Sequence, residues 1–128
     1  MTPESLLVVD AANVVGSTPD GWWRDRAAAT AGLRDRLAPV RRKGLPGLAA
    51  PVEVVLVVEG VARRVPASDD VRVVAADGSG DDAIVTLVGA EAGGRRCVVV
   101  TADRELRSRV TALGVDVRGP RWLPPAEA

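Results

Sequence analysis

This sequence predicts an α/β fold, three layers deep, built around a mostly parallel sheet of roughly five strands. Two observations predict it. Residues 5–9 and 96–100 carry continuous apolar runs instead of alternating ones, the pattern of strands buried on both faces. Between such runs lie stretches with apolar residues every three or four positions, the period of helices that cover a sheet.

In order, Ser-Leu-Leu-Val-Val at 5–9 reads as the central strand. Residues 16–21 are turn-rich, and Asp20 stands where a helix N-cap is wanted, just before Trp22. From Trp22 onward, Trp23, Ala27, Thr30, Leu33 and Leu37 recur at helical spacing, with Arg24, Arg26, Arg34 and Arg36 between them, so a helix is expected to end near Pro39. Residues 39–51, rich in Gly and Pro, read as a loop or an irregular helical turn whose Arg41-Arg42-Lys43 triplet suits a solvated surface, with a phosphate contact as the alternative.

Residues 52–58 form a second strand closing at Glu59-Gly60, and 71–75 a third. The short charged connection between them leaves a hairpin and a helix-free crossover both open. Asp77-Gly78-Ser79-Gly80-Asp81-Asp82 is a turn opening a helix whose apolar positions are Ile84, Leu87, Val88 and Ala90, and Ser79 followed by Asp82 resembles a capping box. After the fourth strand, Thr101-Ala102-Asp103 leads into a helix with Leu106, Val110 and Leu113 on one face, which Gly114 should end at C′. Residues 115–118 alternate as an edge strand does. One domain over 1–128, with its core at about 5–118 and a short tail at 119–128, suits this length and an apolar content of 47%.

Composition excludes much. With no His, there is no imidazole base, no Ser-His-Asp arrangement and no His-bearing zinc site. The formal net charge is zero, so no overall field draws the chain to a polyanion or a membrane. Lone Cys97, in a buried strand, reads as inert packing and fits a reducing, cytoplasmic setting. The absence of a basic, apolar leader and of any spanning run points to a soluble protein with no membrane partner. Gly78-Ser79-Gly80 is too short to bind a dinucleotide, so no nicotinamide or flavin cofactor is expected.

What remains is carboxylate chemistry. A 3-2-1-4-5 strand order makes the first and fourth strands neighbours at the point where ligands bind in open α/β sheets. Asp10 follows the first strand, Asp103 follows the fourth, and Asp81 and Asp82 open the helix before the fourth. Clustered like charges repel, so such a set calls for a cation, and oxygen ligands without His or Cys select Mg²⁺ or Mn²⁺. Each residue also has a plainer role. Asp103, Asp81 and Asp82 suit helix starts; Ser79 and Thr101 suit caps and turns; Glu59 suits a solvated strand end; Arg104 suits a surface ion pair or a phosphate clamp. Asp10 has no capping duty and is the strongest candidate.

Three motifs in order resemble those of the NYN branch of the PIN-like nucleases, nearest in spacing to bacterial YacP-like members: Asp10-Ala-Ala-Asn13, Gly78-Ser-Gly-Asp81-Asp82-Ala-Ile84, and Val99-Val-Thr101-Ala-Asp103-Arg104-Glu105. The resemblance implies a PIN-like α/β domain and a metal-dependent endoribonuclease with RNA as partner. It also implies Asp10, Asp81 and Asp103 as metal and catalytic acids, Asp82 as an extra metal neighbour, Asn13 orienting the first acid or its water, and Glu105 as a further acid. Supporting or substrate-binding positions are Asn13, Ser79, Thr101, Arg104, Glu105 and Glu59. The alternatives are a nucleotide pyrophosphohydrolase using the same acids, and a catalytically silent module that binds RNA or protein. A homodimer stays open.

Overall fold

The computed structural model describes residues 3–17 and 21–124. Five strands form one all-parallel sheet: β1 (Ser5–Asp10), β2 (Val52–Val58), β3 (Arg72–Ala75), β4 (Cys97–Val100) and β5 (Asp116–Arg118). Their order is β3-β2-β1-β4-β5, as the sequence predicts. The continuous apolar run of β1 is explained by its place in the middle. Leu7 and Val9 enter the core on one face and Leu6 and Val8 the core on the other, all fully buried. Each such side chain contributes about 1.5–3 kcal/mol on leaving water, which fixes the register of the central strand.

Helices cover both faces. On one side lie α1 (Ala11–Gly16), α2 (Arg26–Leu37) and α3 (Val40–Lys43), burying Ala11, Val14, Leu33, Leu37 and Val40. On the other lie α4 (Gly80–Glu91) and α5 (Arg104–Thr111), burying Ile84, Leu87, Val88, Leu106 and Val110. Among the described residues no helix is long and apolar enough to cross a membrane.

Four local expectations change. The helix expected from Trp22 starts at Arg26, because Asp25 accepts from the Ala28 N–H at 2.9 Å and caps an alanine-rich segment of high propensity. Trp22–Arg24 is a 3₁₀ turn, and Asp20 lies outside the described residues. α1, a short helix that no expected element covers, follows β1 without a loop. Between β2 and β3 a 3₁₀ turn (Gly60–Arg64) stands where a crossover helix would be; since the strands are parallel, the hairpin is ruled out. Finally, α5 is C-capped at Ala112, so Gly114, with φ of +83°, closes the terminating turn one position beyond the expected C′.

Candidate functional site

Strand register alone assembles the centre of the site. Val9 pairs with Val100, so the next residues, Asp10 and Thr101, emerge side by side at the carboxyl edge of the sheet. Asp10 pairs with Val57, which puts Glu59 two residues farther along the neighbouring strand. The alternation that turns Leu6 and Val8 toward α4 and α5 carries Asp10 to the same side, where both helices begin.

Asp10 is only 5% exposed, and its Oδ2 accepts from the Thr101 hydroxyl at 2.9 Å. Burial pushes its carboxyl up to about 6; the charges of Asp81 and Glu59 add to the rise, while the Thr101 hydroxyl and the Asn13 N–H oppose it. Thr101, fully buried, also accepts from the Asp103 N–H at 3.1 Å, so one hydroxyl ties the two strand-end acids together. Asp103 caps α5, its Oδ1 accepting from the Leu106 N–H at 2.8 Å. Asn13 accepts from the Ala102 N–H at 2.8 Å. It therefore fixes the loop that carries Asp103.

Glu59 departs from its solvated reading. Half-buried, it accepts from the Gly80 N–H at 2.6 Å, anchoring the start of α4 to the end of β2. A Cβ at position 80 would stand 3.3 Å from Glu59 Oε2, so glycine there permits this close approach. Asp81, in the next position, is raised above the usual carboxylate range by burial and by the charges of Asp103, Glu59 and Glu105, with Arg109 opposing. Asp82 takes a different course. It is exposed and pairs with Arg109 at 3.0 Å, and it is not among the charges that act on Asp10 or Asp81. Ser79 caps α4 by accepting from the Asp82 N–H at 3.1 Å, but the Asp82 carboxylate goes to Arg109, so the capping box is half made. Arg104 and Glu105 stand exposed in the first turn of α5.

The edge thus gathers Asp10, Glu59, Asp81 and Asp103, with Glu105 near enough to be felt. The N-termini of α4 and α5 offset part of the mutual repulsion. Among the described residues no three acids converge closely enough to form a ready set of metal ligands. Local sequence pattern alone does not show the weight of Thr101 and Glu59. The signal for both is positional, since each lies beside or just beyond Asp10 once the parallel register is known. Cys97 is buried, and burial pushes its thiol up to about 11, in keeping with inert packing.

Among solved structures, two crystal structures of Rae1 (YacP) from Bacillus subtilis, one of them a single-substitution mutant, superpose on this chain with TM-scores of 0.71 and 0.67. The matches cover 92% and 91% of this chain and 71% and 70% of theirs. The fold is the PIN-like fold of YacP. Sequence identity to the two is 19% and 20%, so the likeness to YacP is one of architecture. No protein-family model and no curated protein matches the chain.

Proposed function

We propose that this YacP-like domain is a metal-dependent endoribonuclease that hydrolyses RNA phosphodiesters at the Asp10 edge. One observation carries the reading: a nearly inaccessible carboxylate at the sheet's switch point is surrounded by further carboxylates instead of a compensating cation. Among the described residues none of the ion pairs includes Asp10, Asp81 or Asp103. Such an arrangement raises the free energy of the folded chain and is relieved by a divalent ion.

The donor set fits Mg²⁺ or Mn²⁺. Every candidate is a hard carboxylate oxygen, and Mg²⁺ keeps several waters and takes only one or two carboxylates directly, so a preformed three-acid cage is not required. Asp10 and Asp81 would hold the ion, with Asp103, one of whose oxygens is engaged by a backbone N–H, reached through its waters. When bound, the ion supplies charge stabilisation to the phosphoryl group and makes water a better nucleophile. The chain's own part is positional. Thr101 holds Asp10, Asn13 holds the Asp103 loop, and Glu59 holds the start of α4, so that carboxylates from three segments are kept at one edge of the sheet.

The test is cleavage of an end-labelled single-stranded RNA of mixed sequence with millimolar Mn²⁺. Wild type should cut, chelation should stop it, and Asp10→Asn should lower the rate by at least about 100-fold. Cleavage that persists after chelation sinks the reading. So does release of pyrophosphate from free nucleoside triphosphates by a protein that leaves RNA intact.

A further inference from the structure

Beside the acids lies a cavity of about 340 Å³, within the usual range for small-ligand pockets. Two larger hollows exist, of about 450 Å³ between β3 and α4 and about 520 Å³ where α4 and α5 end, but neither is lined by Asp10, Glu59, Asp81 or Asp103. The smaller one is. Glu59 lines it, and the same carboxylate accepts from the Gly80 N–H and raises the pKa of both Asp10 and Asp81. Ala12, two residues past Asp10, forms another part of its wall.

We infer that this cavity is a nucleobase subsite next to the scissile phosphate, and that Glu59 is its specificity-determining residue. The inference rests on the ribonuclease reading for the identity of the strand. The wall chemistry supports a base: Ala12, Val15 and Ala62 offer small apolar surface to a flat ring, while the polar groups are confined to a few positions. Of these, the Thr30 hydroxyl is committed to the Arg26 carbonyl at 2.7 Å, while the Glu59 carboxylate lines the cavity with one oxygen held by the Gly80 N–H. A carboxylate only accepts hydrogen bonds, so it selects a base edge that donates. Guanine presents two adjacent donors on its Watson–Crick edge, matched to a carboxylate, whereas uracil presents one donor between two acceptors. Held by Gly80, Glu59 offers this edge without the cost of ordering a long side chain. Arg26, from the start of α2, brings positive charge to the same cavity.

The experiment compares wild type, Ala12→Phe and Glu59→Gln, each first checked for an unchanged unfolding midpoint. Binding of guanosine and uridine 5′-monophosphates is followed by titration calorimetry in metal-free buffer, and RNA cleavage is followed separately in Mn²⁺. Wild type should bind the guanosine nucleotide at least about tenfold more tightly than the uridine one. Ala12→Phe, which fills the cavity, should abolish nucleotide binding and raise the KM for RNA with kcat little changed; Glu59→Gln should erase the guanine preference. Cleavage by Ala12→Phe with unaltered KM and base preference overturns the subsite and leaves the nuclease reading standing. If wild type never cuts RNA yet binds guanosine monophosphate in an Ala12→Phe-sensitive manner, the nuclease reading fails and the subsite holds. If Glu59→Gln prefers guanine as wild type does, the role of Glu59 is overturned.

Discussion

The two ends of this sheet use the same residue types to opposite effect. At the amino end Glu53, Glu91 and Asp116 each have an arginine. Arg72 grips both oxygens of Glu91, at 2.7 and 3.0 Å, and reaches Glu53, which also meets Arg95 at 2.9 Å; Arg96 pairs with Asp116. Glu91 and Asp116 are accordingly held below the usual carboxylate range by their arginines. At the carboxyl end Asp10 and Asp81 are pushed the other way, by burial and by neighbouring carboxylates. A chain with equal numbers of acidic and basic residues had the means to pair both ends. The contrast teaches that the carboxyl end carries an electrostatic cost the scaffold does not need, which is the mark of a binding or reacting site.

Asp10→Asn gives the largest break in that contrast. The native state keeps the Asp10 proton up to about pH 6, whereas the unfolded chain loses it near 3.8. Stability from this group is therefore complete below the lower value and falls as pH rises through the upper one, by about 3 kcal/mol in all. The amino-end acids run in the opposite direction, so the difference between variant and wild type is the useful quantity. Urea unfolding should show Asp10→Asn more stable by about 1–3 kcal/mol at pH 7, with little difference at pH 4. Millimolar Mn²⁺ should narrow the gap by stabilising wild type alone. Equal stability at both pH values would mean that the carboxyl end carries no such cost.

Thr101→Val removes the hydroxyl that joins Asp10 to Asp103 while keeping the shape of a fully buried side chain. It leaves a buried carboxylate oxygen and the Asp103 N–H short of a partner, at a cost of about 1–3 kcal/mol. The pH at which Asp10 titrates should move upward, measurable by carbon-detected NMR of the carboxyl.

The fold and the acidic candidates were legible because they rest on local patterns. Continuous apolar runs marked β1 and β4, and an aspartate at the end of the first and three residues past the second marked the edge. What joins them was not, since the Thr101 bond to Asp10 spans 91 residues and the Glu59 bond to Gly80 spans 21. Such links follow from parallel register, which no short motif encodes. Asp82 and Asp81 make the point at closest range. Adjacent in sequence and identical in type, they differ by one step of helix rotation, which sends Asp82 to Arg109 and leaves Asp81 among the acids. Asp25 was hidden by a stronger-looking signal upstream, where Asp20 and the two tryptophans imitate a helix start.

The smallest expected effect lies at the paired end. Arg72→Ala removes a two-oxygen grip on Glu91 and a contact to Glu53, but the arginine side chain is 45% exposed, so the loss should be about 0.5–1 kcal/mol and should shrink in molar salt. Mn²⁺ affinity and cleavage should be unchanged, because the interaction sits where β3 begins and α4 ends, a full strand length from Asp10. A loss of metal affinity in Arg72→Ala would show instead that α4 transmits the pairing at its C-terminus to Asp81 at its start. In that case the two ends would be one coupled electrostatic system, and the contrast between them could not be read as stability at one end and function at the other.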